Sequence, residues 1–261
     1  RGSRRMSAAA SFAYMQVRVQ ARHGMRPDER VWRQLQGIAG LGNYLHAAQQ
    51  TTLSPWVSGL HATHSSHEIE HALRRQFRDY IDLVAGWLPA RWTSTVHWIR
   101  HLPDLPALQH LLSGEAAPAW MLDDAQLRLF ASENAAARTE TLLDSDWRYL
   151  VLAWQRGTPL SDAWYENWQR QWPGPARLRA GMTHLGGLLQ AHIKALRANP
   201  RGTTQQQRES LTRQLHAAFR RYSFQPAAAC THLVLVALDL EQVRGELVSR
   251  ALFADAAEVD A

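Results

Sequence analysis

Apolar residues recur every three to four positions along most of this chain, and no run of alternating β-branched residues interrupts them. That periodicity predicts an all-α fold built from multi-helix bundles. The first helix is expected over "AASFAYMQVRVQARHG", ending at Gly24 with Pro27 behind it as a stop signal. Short helices follow at 28–36 and 42–50, then a long one at 67–87. On a wheel of about 100° per residue, Ile69, Leu73, Phe77, Tyr80, Val84 and Trp87 share one face of that long helix. His67, His71, Arg74, Arg78 and Asp82 share the opposite, basic one.

Pro89, Pro103 and Pro106 punctuate the next stretch, which reads as helices at 91–100 and 105–112 before the loop "SGEAAPAWMLDD". Helices are then expected at 125–136, 139–154, 161–172 and 175–198. The polar "RANPRGTTQQQ" is the best linker, and 208–222 and 226–253 complete the chain. In the last helix Leu233, Val236, Leu240, Val243 and Leu247 recur at near-heptad spacing, as a core-facing stripe would. These elements group into a tag remnant or disordered N-terminus at 1–8, where "RGSRRMS" reads as an expression-vector remnant before a native Met6, an N-terminal bundle at 9–115, a middle region at 116–200, and C-terminal helices at 201–261 that close on the first bundle.

Composition narrows the class. The 261 residues are 46% apolar and 20% charged and include eleven tryptophans, a composition that folds rather than staying disordered. The net charge of +6 is carried by arginine, because Lys194 is the only lysine. That skew reads as compositional bias rather than a nucleic-acid patch. A lone cysteine, Cys230, cannot form an internal disulfide, so a cytoplasmic location is expected. "LVLVAL" (233–238) falls far short of the roughly 20 apolar residues of a membrane span, so any membrane contact is expected through partners.

One stretch fits a catalytic pattern. His67-Glu68-Ile69-Glu70-His71 matches H-E-x-x-H, in which two histidines one turn apart hold zinc and the glutamate polarises a bound water. Its surroundings argue against that use. Both histidines fall on the basic face, Arg74 and Phe77 stand where the extended motif needs glycine and histidine, and no glutamate occurs between Glu70 and Glu115. Ser65-x-x-Glu68 has capping-box spacing, which gives Glu68 a structural task. The metal site His67, Glu68, His71 is therefore rejected, and a zinc hydrolase stays only as an alternative, beside an Arg-rich adaptor for nucleic acid. No phosphate-binding glycine loop, dinucleotide fingerprint or nucleophile elbow occurs, so neither a catalytic residue nor a cofactor is expected. Gly186-Gly187 reads as a site of close helix packing, and Trp164, Trp168 and Trp172, at i, i+4, i+8, as a packing stripe.

Three segments carry a family resemblance: "YMQVRVQAR" (14–22), "LGNYLHAAQQTTLSPWVSGL" followed by "EIEHALRRQFRDYIDLVAGWLP", and "FQPAAACTHLVLVALDLEQVRGELVSRAL" (224–252). In this order they resemble the C/d subunit of V-type and A-type rotary ATPases, as a short and divergent member. The resemblance implies three-helix-type subdomains arranged as a funnel, and a non-catalytic central-stalk role. The subunit would couple the ATP-driven rotor to the membrane proteolipid ring for proton or sodium ion transport. Its partners would be the central shaft subunit and that ring, with no nucleic acid, in a cytoplasmic position peripheral to the membrane's inner face. The positions it offers to partners are Tyr14, Arg18, Arg74, Arg78, Glu241 and Arg244.

Overall fold

The computed structural model describes residues 8–124, 126–132, 134–198 and 204–259, and among these it is all-helical, with no strand. The expected tag remnant or disordered N-terminus at 1–8 lies outside the described residues, apart from Ala8 at the start of the first helix. In chain order the helices are α1 (Ala8–Gly24), α2 (Glu29–Gln36), α3 (Leu41–Gln49), the single turn α4 (Ser54–Val57) and α5 (Ser66–Ala85). There follow α6 (Thr93–His97), α7 (Leu105–Leu112), α8 (Ala135–Leu143), α9 (Arg148–Gln155), α10 (Leu160–Arg170), α11 (Ala176–Ala198), α12 (Thr204–Arg221) and α13 (Pro226–Val259).

Local chemistry sets the clean boundaries. Asp28 caps α2 by accepting from the Val31 N–H at 3.0 Å. Ser65 and Glu68 form the full capping box that opens α5: the Glu68 carboxylate accepts from the Ser65 N–H at 2.8 Å, and the Ser65 hydroxyl oxygen accepts from the Glu68 N–H at 3.3 Å.

Three expected helices are corrected. The segment at 91–100 breaks into a 3-10 turn (Ala90–Trp92), α6, and a second 3-10 stretch (Trp98–Asp104) that contains Pro103. At 125–136 the Asp124 carboxylate accepts from the Gln126 and Leu127 N–H groups, and among the described residues a 3-10 turn (Arg128–Phe130) follows before Asn134 caps α8. The expected helix at 139–154 is two, because the Ser145 hydroxyl donates to Leu142 O (2.7 Å) and accepts from the Trp147 N–H (3.1 Å), closing a turn in place of the helix ladder.

The chain divides into two compact units, one of 1–93 with 173–261 and one of 94–172. These replace the expected boundaries at 115 and 200. The reason is packing: α11 lies on α12 and α13 in the first unit, whereas α7, α8, α9 and α10 pack among themselves. In the first unit α13 is the hub, in contact with α1, α3, α5, α11 and α12. Its expected stripe is buried along its length at Leu233, Val236, Leu240, Val243 and Leu247. α1 contributes buried Phe12, Met15 and Val19 to the core of this unit, and α5 contributes Ile69, Leu73, Phe77, Ile81 and Val84.

In the second unit the tryptophan stripe is core, with Trp164, Trp168 and Trp172 all buried. The indoles also close hydrogen bonds: Trp98 Nε1 donates to Trp164 O (3.0 Å), Trp164 Nε1 to Trp98 O (3.2 Å) and Trp168 Nε1 to Thr95 O (2.9 Å). The irregular 98–104 segment thereby gains partners that a regular helix would have supplied itself.

The close helix approach falls at Gly181 rather than Gly187. A Cβ at Gly181 would sit 2.8 Å from the Ala227 Cβ and 3.0 Å from the Tyr222 ring, whereas one at Gly187 would meet nothing within 4 Å. Alanine in place of a helical glycine ordinarily stabilises by up to about 1 kcal/mol. Gly187→Ala is expected to show that gain in urea unfolding, while Gly181→Ala is expected to lose about 1–3 kcal/mol through overpacking.

Candidate functional site

Four polar side chains along α13, those of His232, Asp239, Arg244 and Arg250, meet partners from elsewhere in the first unit. Near its start, His232 Nε2 and the Tyr80 hydroxyl of α5 share a hydrogen bond of 2.7 Å. Two turns on, Asp239 takes a bidentate pair from Arg26, which follows α1: Nε donates to Oδ2 at 2.7 Å and Nη2 to Oδ1 at 2.8 Å. Arg26 Nη2 also reaches Leu235 O at 3.3 Å, and Arg208 of α12 donates to Leu238 O at 2.9 Å. Further along, Arg244 Nε donates to Glu70 of α5 at 3.0 Å. Arg250 donates to Ile38 O at 3.0 Å and lies over the Tyr44 ring, 4.3 Å from its centre.

Around the Arg26–Asp239 pair three imidazoles collect. The His23 ring stacks on Phe219 at 4.0 Å and stands edge-on to His216 (5.1 Å) and His232 (5.9 Å). Burial, with the charges of Arg26, His216 and Arg220 adding to it, pushes His23 down to about 4. Burial likewise takes His232 down to about 3, helped by His23, Arg26 and Arg22, and lowers His216. All three are therefore neutral near pH 7. His216 Nε2 accordingly accepts from Arg26 Nη1 at 3.3 Å, which places its proton on Nδ1. Asp239 is pushed up to about 6 by burial, although the Arg26 guanidinium opposes the shift.

Beside this cluster α1, α4, α5 and α13 enclose a cleft of about 290 Å³. Tyr80, His232 and Asp239 line it, and Trp56 stands edge-on to Tyr80 at 5.3 Å. Met25 and Leu83, 53% and 44% exposed, also line it. The Tyr80 hydroxyl, raised to about 12 by burial, is a hydrogen-bonding group and not a base. Cys230, fully buried and raised to about 12 by desolvation, is inert as a nucleophile.

The sequence-predicted positions divide into three groups. Tyr14 is 42% exposed, with the Arg18 guanidinium 4.6 Å above its ring and 5.7 Å from that of Trp87. Arg74, Glu241 and Arg244 are brought together with Glu70: Arg74 to Glu70 at 3.3 Å and Arg244 to Glu241 at 3.2 Å. These three serve an internal network that ties α5 to α13. Arg78 is corrected: it is buried, 6% exposed, so the face opposite Ile69 is covered at that level and not uniformly outer.

Glu68, exposed, is held below the usual carboxylate range by the Ser65 N–H and hydroxyl. His67 is exposed and His71 half-buried. Among the described residues no group of three or more His, Cys, Asp or Glu side chains is arranged to hold a metal ion. The residues missed by sequence reasoning are Arg26, Tyr80 as a polar group, His232 and Asp239. Their signal was available: His232 and Asp239 bound "LVLVAL", and a buried helix carrying polar groups there needs partners.

No family model, no curated protein and no solved structure matches the chain.

The imidazole cluster fixes a pH dependence. Unfolded, the histidines take up protons near 6.5; folded, His23 and His232 resist until about 4 and about 3. Their contribution is therefore complete above 6.5 and is lost as pH falls below it. Asp239 acts with the opposite sign, since the folded form takes its proton at about 6 and the unfolded form only near 3.8, so stability is regained across that window. With the histidines dominant, the urea midpoint is expected to fall from pH 6.5 toward 4, and to fall less steeply in His232→Gln. A midpoint that is flat or rises on acidification would contradict the assignment.

Proposed function

We propose that the protein is a non-catalytic coupling subunit of the central stalk in a V-type or A-type rotary ATPase, joining the soluble rotor to the membrane proteolipid ring during proton or sodium ion transport. The observation that carries this reading is the convergence of the three resembling segments. Residues 14–22 lie on α1, 41–60 span α3 and α4 with 68–89 on and just after α5, and 224–252 run from just before α13 along it, and α1, α3 and α5 all pack on α13. The acidic residue and arginine of the closing segment, Glu241 and Arg244, join the glutamate of "EIEHALR", Glu70. Features that resemble the family at both ends of the chain are thus physically linked.

A coupling part must be stiff. Helices braced by buried apolar stripes and by cross-links at His232, Asp239, Arg244 and Arg250 supply stiffness along about 27 Å of α13, taking 1.5 Å per residue. Among the described residues no helix is long and apolar enough to cross a membrane, so in this reading the proteolipid ring supplies the membrane-spanning part.

Affinity capture of the tagged protein from native membranes solubilised in mild detergent is expected to recover rotary-ATPase shaft and ring subunits. Recovery of unrelated proteins alone, from preparations in which the ATPase stays assembled, would overturn the reading.

A further inference from the structure

The charge of the first unit is sharply segregated. The first 27 residues contain no acidic side chain, and between Pro173 and Leu238 the only one is Glu209. The fold gathers these segments at one end of the bundle. Gly181 of α11 lies against Tyr222 and Ala227, which places the start of α11 at the α12–α13 turn. The Phe224 N–H in that turn donates to Gln16 Oε1 of α1 at 2.9 Å. Exposed arginines therefore surround this end from three helices: Arg177 and Arg179 on α11, Arg220 and Arg221 on α12, and Arg18 on α1. Glu209 is about 18 Å from Arg221 along α12 at 1.5 Å per residue. Asp79 and Asp82, on α5, stand back from the end, near the level at which Tyr80 meets His232.

Among the arginines the surface is apolar. Phe224 is 58% exposed, Val17 70% and Tyr14 42%. Phe224 also has a φ of 62°, the left-handed region that a bulky side chain enters only at a cost, and it is the only such non-glycine residue among those described. Glycine or asparagine would relieve that cost. A strained, solvent-facing phenylalanine at a turn is not accounted for by packing, and it supplies a projecting apolar tip within a cationic collar.

We infer that this end of the unit docks on an anionic lipid surface, with Phe224, Val17 and Tyr14 entering the interfacial layer and the arginines around them meeting headgroup phosphates. The inference goes beyond the coupling role and does not depend on it. Two signals acting together are what reversible membrane attachment needs: a small apolar insertion and a basic patch. A nucleic acid would use the same cations but would gain little from Val17, whose aliphatic side chain offers no stacking surface.

The test is co-sedimentation of the purified full chain with phosphatidylcholine vesicles, with and without about 30% phosphatidylglycerol. Binding is expected only with the anionic lipid and is expected to be lost in high salt. Arg220→Gln with Arg221→Gln should weaken it by roughly tenfold or more, since each arginine near such a surface contributes about fivefold. Phe224→Gly should also weaken it severalfold while leaving the thermal midpoint unchanged or higher, which separates lipid contact from folding. Equal binding to neutral vesicles, no binding to either, or undiminished binding of Phe224→Gly would overturn the inference. So would a preference for single-stranded RNA that displaces the protein from anionic vesicles.

Discussion

The first unit depends on the Arg26–Asp239 pair more than on any other polar contact. It joins the segment after α1 to the middle of α13, two stretches more than two hundred residues apart in sequence, inside a region where both side chains are about one-tenth exposed. An ion pair so placed recovers little net energy, because the attraction must first offset the loss of hydration. The rise of Asp239 to about 6 with a guanidinium bound bidentately to it reflects that cost. What the pair supplies is register: sliding α1 along α13 by one turn would leave a carboxylate and a guanidinium buried apart. The neighbouring histidines follow the same logic, being kept neutral so that Arg26 is not met by further positive charge.

From that anchor the other cross-links follow in order along α13. Tyr80–His232 sets the level of α5, Glu70–Arg244 repeats the constraint about three turns away, and Arg250 catches the α2–α3 connection at Ile38. Apolar burial supplies most of the stability, and the polar contacts choose one arrangement among the many that similar stripes would allow. The result is a bundle with a braced interior and a strongly polarised exterior, in which the acid-free end carries the exposed apolar tip. A stiff body with one distinctive end suits a part that transmits force between other components.

Much of this was legible in the residues. The 3.6-residue period gave the all-α class, Ser65 and Glu68 marked the start of α5, and Leu233 to Leu247 marked the face of α13 that is buried. Arg78 shares the helix face of His67 and His71 yet is buried, because a helix wheel shows one face toward one neighbour and α5 is covered on more than one side. The breaks at 98–104, 124–134 and 144–147 were not legible, since periodicity continues through them. They arise where Pro103, Asp124 and Ser145 offer the backbone local hydrogen-bonding alternatives or remove a donor, and where the Trp164 N–H of α10 donates to Trp98 O in the irregular segment. The buried histidine cluster was equally hidden: His23, His216 and His232 lie on three helices, and only the fold brings them together.

The central claim is that Arg26 and Asp239 act as one unit that fixes how the chain ends pack. A double-mutant cycle in urea, followed by helical circular dichroism, tests it directly. Arg26→Met and Asp239→Leu alone should each cost about 3–5 kcal/mol by leaving a buried charge unpaired, and together should cost little or nothing. Single variants that are close to wild type, or a double variant as unstable as the sum of the two, would contradict the account.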